Sequence, residues 1–198
     1  TGIGRDNGAP LARILTQLLR FLYIHILFIR LDISVVNSLG KDQFVSIFGN
    51  VIELCTDAAV EVEKKRPFHD VDQLCNHFAE YLQLLDTQGK EVVLNLHPDL
   101  AGRLAQSGEL TKESTEEQKS AGLDQLTEEQ RQLIDKYNGR YKDKFGFPFI
   151  ICARENKVQS IIDGLRERCG NTRDQEITKA ITEVQKICKL RIHDLTKN

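Results

Sequence analysis

Apolar side chains recur at three- and four-residue intervals along most of this chain, the spacing that lines one face of an α-helix. Val71, Leu74, Cys75, Phe78, Leu82 and Leu85 form one such stripe, and Asp70 just before it is placed to cap the first turn. A second helix is predicted from Leu126 to Tyr141, where Thr127 and Gln130 have capping-box spacing. Val158, Ile161, Ile162 and Leu165 predict a third. Ile177, Ile181, Val184, Ile187 and Cys188 predict a last one, after a turn at Gly170-Asn171, with Thr172 and Gln175 again at capping-box spacing. The β-branched runs are short: EVVLNL spans Glu91 to Leu96, and FPFIICA, from Phe147 to Ala153, is interrupted by Pro148. Neither an alternating strand series nor a β-α-β rhythm occurs. The pattern predicts an all-α fold, a single-domain multi-helix bundle with short connecting loops.

The first 30 residues stand apart. Leu11, Ile14, Leu15, Leu18, Leu19 and Leu22 fall at helical spacing, but the uncharged run from Phe21 to Ile29 is short. A membrane span needs about 20 apolar residues, so no stable span is expected, and no small-residue cleavage site follows. Residues 1–30 read as an extension outside the domain, with a targeting or interfacial helix as the other reading. The domain is expected over 31–198. A chain of 198 residues with 40% hydrophobic positions suits one such domain. The net charge of -2, without a Lys/Arg cluster, argues against nucleic acid as a partner. Cys55, Cys75, Cys152, Cys169 and Cys188 are odd in number and scattered, which reads as buried thiols in a reduced, intracellular setting.

Four places carry candidate chemistry. His97 ends an apolar segment, and Pro98 keeps it out of helical geometry, so its ring is free to project as a proton shuttle or to hydrogen-bond locally. Ser114 and Glu117 have capping-box spacing. A helix start there would present free N–H groups, so that Ser114, Thr115, Glu116, Glu117 and Gln118 rim an anion site; the alternative is a purely structural cap. In FGFPFIICA, Gly146 and Pro148 break regular structure. The backbone of Phe149, Ile150, Ile151, Cys152 and Ala153 could then hydrogen-bond a planar heterocycle; an ordinary turn with core aromatics is the alternative. Arg191 lies between Leu190 and Ile192 and either pairs with a carboxylate or snorkels to the surface. His69 and His77 lack the further ligands that a metal site requires, so no metal is expected.

Four blocks in this order resemble the 2-oxo-4-hydroxy-4-carboxy-5-ureidoimidazoline (OHCU) decarboxylases of the urate-to-allantoin pathway: FGNVIE, NLHPDLAGRLA, STEEQKSAGLDQL and YNGRYKDKFGFPFIICAR. The resemblance runs from about Leu31 to Leu195. It implies cofactor-independent decarboxylation of OHCU to (S)-allantoin and CO2. It places the catalytic histidine at His97 and its acidic partner at Glu117. It puts ligand contacts at Ser114 and Gln118 and the substrate-binding arginine at Arg191; Pro98, Thr115, Glu116, Phe149, Ile150, Ile151, Cys152 and Ala153 complete the expected substrate-binding set. A homodimer and a peroxisomal setting are also implied, although the final Thr-Lys-Asn departs from the Ser-Lys-Leu type of address, and cytoplasm is the alternative. Two other functions remain open on the residues alone: a non-enzymatic helical interaction module, and a hydrolase acting on the preceding pathway intermediate.

Overall fold

The computed structural model describes residues 30–197; the stripe from Leu11 to Leu22 lies outside the described residues. Among the described residues ten α-helices follow one another: α1 (Ile33–Ser38), α2 (Lys41–Phe48), α3 (Thr56–Glu63), α4 (Val71–Leu84), α5 (Thr87–Asn95), α6 (Arg103–Ser107), α7 (Lys112–Ala121), α8 (Glu128–Phe145), α9 (Val158–Arg168) and α10 (Arg173–Leu195). A 3-10 turn, Ala153–Glu155, precedes α9. No strand occurs among the described residues; their one β-bridge joins Leu31 to Thr196.

The local signals explain most of the helix ends. Asp70 caps α4 by accepting from the Gln73 N–H at 2.7 Å. The capping boxes Thr127/Gln130 and Thr172/Gln175 open α8 and α10. Gly146, at φ +79, ends α8 in the left-handed conformation that a side chain resists, and so releases the chain into FPFIICA. EVVLNL is helical, not extended. Asp86 caps α5 by accepting from the Gly89 N–H, and Val93 and Leu94 bury against the core, so packing overrides the β-branched preference. The capping box expected at Ser114 and Glu117 is not one. Thr111 caps α7 one turn earlier, its Oγ1 accepting from the Ser114 N–H. Both residues therefore sit inside the helix, where their N–H groups are already used.

The long α10 lies against α4 and α5, and α9 packs on α8. Ile177, Ala180, Ile181, Val184, Ile187, Cys188 and Ile192 form its buried stripe. A second part of the core is aromatic: Tyr141 meets Phe149 edge-on at 5.3 Å and lies 4.6 Å from Phe145. A buried polar cluster holds this part together. Glu176 accepts from Tyr141 Oη, from Arg168 Nε at 2.7 Å and from Asn171 Nδ2 at 2.6 Å. Arg168 stands over the Phe149 ring, and its Nη1 donates to the Ile150 carbonyl at 2.7 Å. All five cysteines are buried and unbonded. Burial pushes the Cys75 and Cys152 thiols up to about 11. Among the described residues, no helix is long and apolar enough to cross a membrane.

Glu176 is fully buried and is the carboxylate partner of Arg168. Glu176→Leu leaves the guanidinium buried without its counter-charge, which should cost about 3–5 kcal/mol of unfolding free energy. Urea denaturation checks this; a loss below about 1 kcal/mol would show that the pair is not the brace described.

Candidate active site

The site begins where α5 ends. His97 follows the last turn of that helix, and its Nδ1 lies 3.1 Å from the Val93 carbonyl one turn back. A carbonyl only accepts, so Nδ1 carries the proton and the neutral ring presents Nε2 as an acceptor. Nε2 is buried and has no partner among the described residues. Leaving such a group unmade costs roughly 1–3 kcal/mol; Asp99 Oδ1 and Asn138 Oδ1 are also without a partner, but of the three residues only His97 lines a small pocket with Glu117 and Arg191. Burial depresses the His97 pKa to about 4; the Val93 hydrogen bond and the charge of Glu53 work the other way and are outweighed. The imidazole is thus a base, not an imidazolium, at neutral pH.

The loop after His97 is fixed from two sides. Ala101, at φ +51, adopts a conformation unusual for a residue with a side chain. Its N–H donates to Gln118 Oε1 at 2.9 Å, and Asn138 Nδ2 donates to the neighbouring Leu100 carbonyl at 3.0 Å. Gln118 comes from α7, one residue after Glu117, so the same helix that aims Glu117 pins the histidine loop.

Glu117 makes no hydrogen bond to His97. Its two oxygens accept from Arg191 Nε and Nη2, each at 2.7 Å, a bidentate pair. Arg191 Nη2 also donates to Ser114 Oγ at 3.3 Å, and Nη1 donates to the Asn50 carbonyl at 2.9 Å and to Glu53 Oε2 at 2.8 Å. These five contacts use all five N–H groups of the guanidinium. Glu53, 2% exposed, further accepts from Thr111 Oγ1 and Ser114 Oγ, both at 2.8 Å. Burial disfavours the charge of Arg191, but Glu117 and Glu53 outweigh it and raise its pKa. The arginine is therefore neither a surface side chain nor free to clamp a ligand as it stands.

One small pocket, about 30 Å³, gathers His97, Pro98, Ser114, Glu117, Gln118, Phe149, Ile150, Ile151, Ala153 and Arg191. Leu100 and Ile187 complete its wall. Three sequence candidates lie elsewhere. Cys152 turns away, and its N–H is spent on Glu183 Oε2 at 2.9 Å. Thr115 Oγ1 donates back to the Thr111 carbonyl at 2.9 Å, and the residue does not line this pocket. Glu116 lines a larger cleft of about 470 Å³, next to Ile47, Asn50, Lys112, Arg154 and Asp194. In the FPFIICA loop, the N–H groups of Ile150, Ile151 and Ala153 make no hydrogen bond to the described residues. Among those residues, no cluster of His, Cys, Asp and Glu has the makings of a metal site.

Sequence reasoning passed over Glu53, Asn50 and Thr111. An acidic residue inside the apolar run VIELC was the available signal, because a charge in that position must find a buried partner.

Residues 37–193 match the family model described as OHCU decarboxylase. A 2-oxo-4-hydroxy-4-carboxy-5-ureidoimidazoline decarboxylase of Xenopus laevis is 41% identical over 85% of this chain and 96% of its own length. One from Amia calva is 44% identical over 83% of this chain and 94% of its own. Among solved structures, an OHCU decarboxylase crystallised in the presence of (S)-allantoin superposes with a TM-score of 0.62 at 22% identity, covering 80% of this chain and all of that one. An (S)-allantoin synthase gives 0.69 at 21% identity over 84% of this chain and 54% of its own.

The buried His97 has a consequence for acid stability. Its folded pKa, about 4, lies below the unfolded value near 6.5. Between these values the unfolded chain binds the extra proton, so stability is retained above about pH 6.5 and lost as pH falls toward 4. His97→Asn should flatten that part of the stability profile, read by urea unfolding at intervals from pH 7 to 4. An unchanged slope would mean that the ring protonates freely in the folded state.

Proposed function

Because the chain belongs to the OHCU decarboxylase family, we propose that it is the carboxy-lyase that converts OHCU to (S)-allantoin and CO2, with His97 as general base and without a cofactor. The observation that carries this reading is the buried Nε2 of His97, an unpartnered acceptor on a residue of the pocket that Glu117, Gln118 and Arg191 also line. An interaction module would have no use for a desolvated base, and nothing in the pocket favours the hydrolase reading.

The chemistry asks little of the protein beyond position and proton transfer. The C–C bond to the substrate carboxylate breaks and its electron pair enters the ring C=N, whose nitrogen takes up a proton. The enol left behind surrenders its hydroxyl proton to His97 Nε2, and the neighbouring ring carbon is protonated from one face to give the S product. Because the ring C=N accepts the electrons, the reaction needs no metal or prosthetic group. A neutral imidazole suits the base role, since a protonated ring has no lone pair to offer. Val93 fixes the tautomer that leaves Nε2 available. Phe149 and Ile150 supply apolar wall, and the unspent N–H groups of Ile150, Ile151 and Ala153 are suited to the carbonyl oxygens of a planar, amide-rich ring. Glu117 acts from Arg191's side of the pocket, not through a hydrogen bond to the imidazole.

Freshly generated OHCU should be turned over to optically active allantoin, followed by circular dichroism; racemic product at the spontaneous rate would refute the assignment. His97→Asn should lower kcat/KM by about 10²–10⁴-fold while the far-UV spectrum stays that of the wild type. Helix content lost in step with activity would make His97 a structural residue.

A further inference from the structure

Three observations around Glu117 converge. First, every N–H of Arg191 is engaged, two of them by Glu117, so an incoming carboxylate can gain the guanidinium only by displacing a present partner. Second, Glu117 and Arg191 line both the small pocket beside His97 and the 470 Å³ cleft next to it; their ion pair is a wall shared by the two. The small pocket has space for about one or two waters, whereas the cleft is of the size that small ligands occupy. Third, Glu117 is the partner best able to leave. It is 12% exposed at its side chain against 2% for Glu53, which three donors hold. The cleft also offers Glu117 other cations, because Lys112 and Arg154 line it as well.

We propose that the substrate carboxylate takes the place of Glu117 on Arg191, and that Glu117 reclaims the guanidinium when that carboxylate has departed as CO2. The proposal rests on the decarboxylase reading. Glu53 stays on the far side of Arg191 throughout and keeps the guanidinium plane fixed, so one carboxylate is exchanged for another on an unmoved cation. Opening the wall joins the cleft to the His97 pocket and brings the ring within reach of Nε2. The C–C bond breaks with its electrons passing into the ring, and neutral CO2 has no claim on Arg191. The product lacks a carboxylate and cannot hold Glu117 away. Return of the ion pair then narrows the pocket and favours release. The same competition selects substrates that carry a carboxylate over otherwise similar heterocycles.

Removing the competitor tests this. In Glu117→Ala, Arg191 keeps Glu53 as counter-ion, and the guanidinium edge is open. The KM for OHCU should fall about tenfold or more, the equivalent of a charged hydrogen bond, while kcat drops; with slow chemistry KM reports the dissociation constant. Inhibition by (S)-allantoin should not tighten. A KM that is unchanged or raised, or allantoin binding tightened in parallel, would overturn the exchange. If the alanine variant does not fold, Glu117→Gln serves in the same comparison, since a neutral amide has one acceptor oxygen in place of two and cannot form the bidentate pair. Formate supplies an arm that is independent of catalysis. By titration calorimetry it should bind the variant at concentrations that leave the wild type unliganded, and no binding to the variant would also overturn the proposal. If the wild type fails to turn over OHCU, the reaction assignment falls, and formate still decides whether Glu117 and a free carboxylate share one place on Arg191.

Discussion

The arrangement of this molecule depends on a single buried guanidinium. Arg191, from the last helix, satisfies its five N–H groups on the loop after α2, through Asn50 and Glu53, and on α7, through Ser114 and Glu117. These segments are 138 and 74 residues from it in sequence. An arginine in low dielectric must have all its donors met or it destabilises the fold, so this demand fixes how the three elements approach. Lysine would not suffice: three donors on a point charge cannot span two carboxylates, a carbonyl and a hydroxyl at once.

A second arginine does the same work behind the loop that walls the pocket. Arg168 is held by Glu176 and grips the Ile150 carbonyl while stacking on Phe149. The two hubs divide the labour. Arg168 orders the apolar and backbone side of the pocket, and Arg191 orders its charged side. The His97 imidazole belongs to neither, being oriented by its own helix through Val93.

The helical plan was legible because it follows from local rules. Asp70, Thr127 and Thr172 cap the helices they were expected to cap, and the apolar stripes on α4, α9 and α10 are buried. The same rules misplaced α7: spacing singles out Ser114 and Glu117, but it does not say that Thr111 caps first and leaves Ser114 to Glu53. His97, Glu117 and Arg191 could be named from their blocks, and they do line one pocket. Their pairing could not be read. Which carboxylate meets which cation is decided by long-range packing, and a plausible Glu–His contact gave way to a bidentate Glu–Arg pair whose geometry satisfies more donors. Cys152 shows the limit of a contiguous motif: Phe149, Ile150, Ile151 and Ala153 line the pocket, while Cys152 between them is buried away from it with its N–H spent on Glu183.

The five cysteines, all free and all buried, give the protein an internal clock. A thiol reacts as thiolate, and burial raises the pKa of each one here. Alkylating reagents therefore wait on the fold to open. Cys152 follows directly on the pocket-lining Ile150 and Ile151 but is itself only 1% exposed. Its labelling rate measures how often that loop detaches, whereas Cys188, 2% exposed on α10, times the opening of the whole bundle. The ratio of the two rates separates local breathing around the pocket from global unfolding in a single experiment on the unaltered chain.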